Sequence, residues 1–143
     1  MRALRYNDWV LTRELLMPEK QTVAILGASK DRSKYGNKAV RAYVQRGWTV
    51  YPVNPNETEV EGVKCYRSIA DVPTPLDRVS VYLPPKIGLM VLDDLAKARP
   101  GEVFFNPGSD SPEVMDKATS LGLNPIFACS IVDIGMTPSQ LPS

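Results

Sequence analysis

The segment from residue 27 to residue 37, GASKDRSKYGN, has the composition of a loop that binds an anion. Gly27 follows the apolar run TVAIL and permits a tight turn, and Ser29 supplies a hydroxyl group two residues later. Residues 30–41 contain five basic residues and one acid, although the whole chain of 143 residues has a net charge of only +1. A helix that begins after this loop would also present free backbone N–H groups. The segment therefore predicts a local phosphate site.

Neither of the common nucleotide-binding fingerprints is complete in this loop. The dinucleotide pattern G-x-G-x-x-G fails after Gly27, because Ser29 and Arg32 occupy the next two glycine positions. The pattern G-x-x-x-x-G-K-[ST] fails because Arg32 also stands at its second glycine position. The next apolar run ends in YPVNPN (51–56), which lacks the carboxylate that binds the ribose of NAD. This rigid turn either holds an adenine ring by apolar contact or only shapes the chain.

The sequence offers few groups for catalysis. It contains no histidine, which removes the usual general base, the Ser-His and Cys-His pairs and the commonest metal ligand. Two cysteines, Cys65 and Cys129, are too few for a four-cysteine zinc site and suit a reducing cytosol. Either thiol could form a mixed disulfide with a thiol cofactor, and Cys129 is better placed, but a free cysteine more often serves as a small buried hydrophobe. We therefore expect a protein without catalysis of its own.

Alternating strands and helices must position these residues. Apolar runs predict five strands, at 22–29, 48–54, 78–83, 102–106 and 124–132. Helical spacing and end signals predict helices at 37–46, 87–98 and 111–121, with one helical turn inside a loop at 56–75. Strands that alternate with helices in this way require right-handed parallel crossovers. The expected fold is α/β, with a doubly wound, mainly five-stranded parallel sheet in three layers, α/β/α.

The length predicts a single domain over residues 1–143. A short helix at about 7–17 precedes the sheet, and a frayed tail occupies about 136–143. The balanced charge argues against a broad nucleic-acid or membrane-binding surface. Charges interrupt every apolar stretch near the start, so we expect no signal peptide or membrane span and a cytoplasmic location. An exposed edge strand would allow a homodimer.

Three segments at successive strand ends carry a resemblance to a known family. GAS (27–29), YPVNP (51–55) and LPP (83–85) resemble the coenzyme A-binding protein family. Its members are small stand-alone Rossmann-like domains, similar to the N-terminal domain of the succinyl-CoA synthetase α subunit. The resemblance extends from about Lys20 to about Asp133. It implies a Rossmann-like fold and, as the ligand, coenzyme A or an acyl-CoA.

The resemblance also implies which residues bind this ligand. The first loop would hold the phosphates, the second turn would flank the adenosine, and the third would flank the pantetheine. The implied residues are Gly27, Ala28, Ser29, Lys30, Lys34, Asn37, Val53, Asn54, Pro55, Leu83, Pro84 and Pro85. This chain departs from the family at Asn56, where many relatives are basic, and after Cys129, where many have a Glu-His pair.

Three functions remain open at this point. The first is a CoA-binding carrier, sensor or accessory module. The second is an NAD(P)-binding enzyme or regulator in which Arg32 or Lys34 holds a 2′-phosphate. The third is a protein–protein interaction module that binds no nucleotide. The synthetase reaction uses a phosphohistidine in a separate domain, so we do not expect a ligase reaction from this polypeptide alone.

Overall fold

The computed structural model describes residues 20–143, and the helix predicted at about 7–17 lies outside this range. The strands are β1 (Thr22–Leu26), β2 (Thr49–Val53), β3 (Glu59–Val60), β4 (Val63–Lys64), β5 (Arg78–Val81), β6 (Glu102–Phe105) and β7 (Pro125–Phe127). The helices are α1 (Tyr35–Gln45), α2 (Pro85–Ala98), α3 (Pro112–Ser120) and α4 (Ser130–Asp133). Two 3-10 turns occur at Ile69–Asp71 and Pro138–Gln140.

The main sheet has five parallel strands in the order β2-β1-β5-β6-β7. The chain moves from β1 outward to β2, then returns through a crossover to β5 on the other side of β1. This change of direction opens a crevice at the carboxyl ends of β1 and β5, where ligands bind in such sheets. The doubly wound α/β prediction is confirmed.

Both faces of the sheet are covered, because successive side chains of a strand point to opposite faces. Val23 and Ile25 of β1 belong to a buried cluster with α1 and α4. Ala24 and Leu26 belong to a second cluster with the 3-10 turn at 69–71, α2 and α3. This arrangement explains the continuous apolar run of β1 and confirms the three layers. Among residues 20–143, no helix has both the length and the apolar run that crossing a lipid bilayer would require.

The structure corrects the prediction of a strand over 124–132. Strand β7 ends at Phe127, and Ser130 already begins the short helix α4. The backbone N–H of Ser130 donates to Asn106 Oδ1 at 2.8 Å, and the Ser130 and Ser80 hydroxyl oxygens lie 2.6 Å apart. These contacts fold the chain over the sheet and prevent the strand from continuing.

The segment 56–75 contains more structure than the predicted loop with one helical turn. The helical turn is present at Ile69–Asp71, where the Ser68 hydroxyl accepts a hydrogen bond from the Ala70 N–H. Ahead of it, β3 and β4 form a small antiparallel hairpin. Glu61 and Gly62 make its turn, and both have positive φ angles, as a two-residue hairpin loop requires.

The predicted frayed tail is also corrected, because residues 136–143 pack against α1. The side chain of Leu141 is 1% exposed and belongs to the cluster between the sheet and α1. Arg41 donates to the carbonyl oxygens of Pro142 at 2.7 Å and Leu141 at 3.3 Å. A buried leucine and a hydrogen-bonded backbone are the physical features that a frayed end lacks.

Candidate functional site

The turn after β1 brings the start of α1 into direct contact with the end of the strand. Gly27 has a φ of +84°, and a Cβ atom on it would lie 2.5 Å from the carbonyl oxygen of Tyr82. A Cβ atom on Gly36 would lie 2.1 Å from the carbonyl oxygen of Gly27. Only glycine can occupy both positions without moving the backbone. The prediction that Gly27 permits a tight turn is therefore correct. The same turn also requires glycine at position 36.

The first turn of α1 presents unused hydrogen-bond donors at this place. Lys34 is the N-cap residue, its side chain makes no capping bond, and the first turn contains no acidic residue. The Asn37 and Lys38 N–H groups both donate to the Lys34 carbonyl. The N–H groups of Tyr35 and Gly36 have no acceptor within residues 20–143. Free amides at a helix start favour an anion.

A cavity of about 370 Å³ lies between the carboxyl ends of β1, β2 and β5 and the start of α2; we call it the apolar cavity. Its wall is mainly aliphatic, and a few polar groups stand at its edge. The lining residues are Leu26, Gly27, Val53, Asn54, Pro55, Asn56, Arg67, Ser68, Ile69, Leu83, Ile87 and Val91. Apolar walls with few polar groups are typical of sites for rings of organic cofactors.

A second cavity of about 300 Å³ lies on the other side of Gly27 and Leu83; we call it the loop cavity. Tyr35 and Gly36, whose amides have no acceptor within residues 20–143, line it together with the prolines that follow β5 and β6. The lining residues are Gly27, Lys34, Tyr35, Gly36, Tyr82, Leu83, Pro84, Pro107, Gly108 and Ser109. The two cavities share Gly27 and Leu83, so they are neighbours at the carboxyl ends of β1 and β5.

Seven of the twelve predicted site residues line these cavities, and five do not. The lining residues are Gly27, Lys34, Val53, Asn54, Pro55, Leu83 and Pro84. Ala28, Ser29, Lys30, Asn37 and Pro85 line neither cavity. The structure thus brings the three predicted strand ends together at one crevice, while the role of each residue in ligand binding stays a prediction.

The side chains of Asn37 and Asn54 form hydrogen bonds within the protein. Asn37 is fully buried; its amide nitrogen donates to the Ser29 carbonyl at 2.9 Å and its Oδ1 accepts from Arg41 at 2.8 Å. The Asn54 amide nitrogen donates to the Ala28 carbonyl at 2.7 Å, which ties the second turn to the first loop. Both asparagines position the loop walls through these hydrogen bonds.

The basic cluster of residues 30–41 is largely paired with acids and carbonyl groups. Lys30 lies 3.3 Å from Glu57, and Arg32 lies 2.6 Å from Glu61. Arg41 lies 3.6 Å from the same Glu61 oxygen and points toward the C-terminal tail. Within the described part of the chain, Lys34 is the member of the cluster that lines a cavity. Five basic residues and one acid give residues 30–41 a net charge of +4. The ion pairs with Glu57 and Glu61 therefore offset part of this positive charge beside the cavities.

Sequence reasoning missed several lining residues. The segment Pro107, Gly108 and Ser109 follows β6 and could have been found, because ligands bind beyond the carboxyl ends of parallel strands. Arg67 and Ile69 gave no such signal, since they lie in a long connection whose path is set by contacts with other elements. Tyr35 lines the loop cavity as the first residue of α1, and it is exposed.

Burial favours the neutral form of two titratable groups near the site, Cys65 and Tyr82. Burial raises the pKa of the Cys65 thiol, which supports its interpretation as a small core residue. Burial also raises the pKa of Tyr82, despite its hydrogen bond with Ser130. Cys129 is half-buried and immediately precedes α4. Residues 20–143 contain no cluster of three His, Cys, Asp or Glu side chains suited to a metal ion.

A larger, open depression of about 660 Å³ lies along α2 and beyond the end of α3. Asp93, Ala96, Lys97, Arg99 and Leu121 line it. Its position away from the carboxyl ends of the strands and its exposed charged rim make it a surface feature, so we place the candidate site at the two smaller cavities.

Comparisons with known proteins agree with this geometry. The profile of the family described as CoA binding domain matches residues 21–135. Acetate--CoA ligase [ADP-forming] II of Archaeoglobus fulgidus is 36% identical over 99 residues, which are 67% of this chain and 14% of that ligase. The chain thus matches only about a seventh of that relative's length.

Solved structures show the same domain both as a small protein and within a large one. A conserved hypothetical protein from Pyrococcus furiosus has 34% identity and a TM-score of 0.72, over 80% of this chain and 98% of that chain. The dinucleotide forming Acetyl-coenzyme A synthetase 1 of Ca. Korarchaeum cryptofilum, in complex with phosphate and ADP, has 31% identity and a TM-score of 0.67. That match covers 81% of this chain and 27% of the synthetase chain. The resemblance inferred from three strand ends is confirmed, and the chain belongs to the CoA binding domain family.

Proposed function

We propose that this chain binds coenzyme A, or an acyl-CoA, across the two cavities. The observation that carries the proposal is the junction at Gly27, where an aliphatic cavity meets the free N–H groups of Tyr35 and Gly36. The adenosine would occupy the apolar cavity against Val53 and Pro55. The diphosphate would lie at the junction, near the start of α1 and the Lys34 ammonium group.

The loop cavity suits the pantetheine arm. Leu83 and Pro84 form one wall, and Pro107 lies on the other side with Gly108 and Ser109. Proline residues present no N–H group, so these walls contact an extended chain mainly through carbon atoms. Gly108, which is exposed at the edge of this cavity, would leave the sulfur end near solvent. Free CoA and a short acyl-CoA are therefore expected to bind with similar affinity.

We propose that binding serves as a carrier, sensor or accessory module rather than as a complete ligase, and that the protein works in the cytoplasm. The matched part of the Archaeoglobus ligase is 14% of its length, and the present chain contains no histidine. A transfer through a histidine side chain would therefore depend on residues other than these 143.

Calorimetric titration tests the proposal against the NAD(P) alternative. We expect coenzyme A and acetyl-CoA to bind with micromolar dissociation constants, and NADP to bind at least about tenfold more weakly. Replacement of Lys34 by Gln should weaken CoA binding roughly tenfold or more, because a charge-assisted hydrogen bond contributes about 1.5–3 kcal/mol. Lys97→Gln, on the opposite part of α2, is the matched control and should bind normally. Absence of CoA binding at millimolar concentration, or tighter binding of NADP, would refute the proposal.

A further inference from the structure

Some basic side chains around the crevice pair with an acid or a carbonyl group of the protein, and others do not. Lys30 and Arg32 are paired with acids of the segment 57–61, and Lys38 lies 3.5 Å from the Pro138 carbonyl. Two other basic residues line the cavities without an acidic partner among residues 20–143. These are Lys34 in the loop cavity and Arg67 in the apolar cavity.

The backbone on both sides of Arg67 is firmly held. The Tyr66 N–H donates to the Pro52 carbonyl at 2.9 Å, and Tyr66 forms a β-bridge with Val53 at the end of β2. On the other side, the Ser68 hydroxyl caps the 3-10 turn at Ile69–Asp71. Arg67 itself makes no hydrogen bond within the described chain and lines the cavity. Its position is thus set by neighbours, while its guanidinium group remains available to a ligand.

Among the residues from Lys20 to Ser143, no other charged side chain lines the apolar cavity. Asn56 on the same wall is neutral, and its N–H donates to the Asn54 side chain at 2.8 Å. Glu57, the next residue, is engaged by Lys30. An aliphatic cavity that contains one unpaired guanidinium group selects a ligand whose apolar ring lies close to an anionic group.

Arg67 and Lys34 lie in different cavities, on either side of the Gly27 and Leu83 junction. The crevice therefore offers two separate cationic points. We propose that Arg67 binds a phosphate monoester on the ribose of the nucleotide, separate from the diphosphate at Lys34 and the start of α1. This inference rests on the proposed function and deepens it: Arg67 would recognise the 3′-phosphate of coenzyme A.

Titration of coenzyme A and dephospho-CoA into three forms of the full chain tests the assignment. The wild-type protein should prefer coenzyme A by about tenfold or more, because guanidinium–phosphate hydrogen bonds are among the strong charge-assisted ones. In Arg67→Gln the affinity for coenzyme A should fall to that for dephospho-CoA, whose own affinity should not change. Lys97→Gln, which removes a positive charge from α2 outside both cavities, is the control and should keep the wild-type preference.

Each alternative outcome has a distinct meaning. A preference that survives in Arg67→Gln, or disappears in Lys97→Gln, overturns the assignment, as does equal wild-type affinity for the two ligands; CoA binding itself would then still stand. Failure of the wild-type protein to bind either ligand overturns the proposed function and the assignment together. Arg67 is exposed, and thermal unfolding of the variant should match that of the wild-type protein.

Discussion

Replacement of Gly36 by Ala is the sharpest test of how the site is built. Gly36 is the second residue of α1, and the added Cβ atom would lie 2.1 Å from the Gly27 carbonyl oxygen. Ordinary contact begins at 3.4 Å, so the helix start and the strand end would have to separate by about 1.3 Å. The neighbouring atom belongs to the backbone, so no side-chain rotation can relieve the clash.

The size of the effect follows from two opposing contributions. Added volume in a closely packed place typically costs about 1–3 kcal/mol of folding free energy. Alanine is preferred over glycine in a helix interior by up to about 1 kcal/mol, and less in the first turn. We expect Gly36→Ala to lower the free energy of unfolding by about 2 kcal/mol. Displacement of the free amides should also weaken CoA binding roughly tenfold or more, since each bond to a charged phosphate contributes about 1.5–3 kcal/mol.

Gly88→Ala is the matched control, because Gly88 lies in the first part of α2 and a Cβ atom there would meet nothing within 4 Å. This variant should be as stable as the wild-type protein or up to about 1 kcal/mol more stable. Urea denaturation followed by circular dichroism, together with calorimetric titration of coenzyme A, measures both effects. If Gly36→Ala proves as stable as Gly88→Ala and binds normally, the close contact between α1 and β1 does not shape the site.

Two further predictions concern stability. Leu141→Ala should lower the free energy of unfolding by about 2–4 kcal/mol, because Leu141 is 1% exposed; Ser143→Ala, at an exposed position of the same tail, should change it little, and equal urea midpoints for the two variants would contradict a packed tail. Burial raises the pKa of Tyr82, so the folded protein keeps a proton that an unfolded tyrosine loses near pH 10, and stability should decrease as pH rises above about 10. In Tyr82→Phe the decrease between pH 10 and pH 11 should be smaller by up to about 1.4 kcal/mol per pH unit, and an unchanged slope in urea denaturation would exclude Tyr82 as its source.

The candidate site could be predicted in outline because its main parts are local. A glycine after an apolar strand, followed by a helix start, produces the same turn wherever it occurs in a parallel sheet. The turn at Gly27 and the rigid segments after β2 and β5 were accordingly identified from residues next to one another in the chain. The buried role of Asn37 was not predictable, because an asparagine in a polar loop has the same sequence appearance whether it faces a ligand or the Ser29 carbonyl.

The alternation of apolar runs and helical stripes determined the α/β class, the parallel strands and the three layers, since each pattern is imposed by the period of its own element. The tertiary structure decided which groups pair with the basic side chains of residues 30–41 and at which residue β7 ends. Arg41 contacts a carbonyl 101 residues away, and Ser130 of α4 contacts Asn106, which follows β6. Such partners are chosen by distance in space, and sequence spacing carries no information about them. For the same reason, the sequence did not indicate Arg67 as a candidate ligand-binding residue, whereas the structure does, because Arg67 lines the apolar cavity.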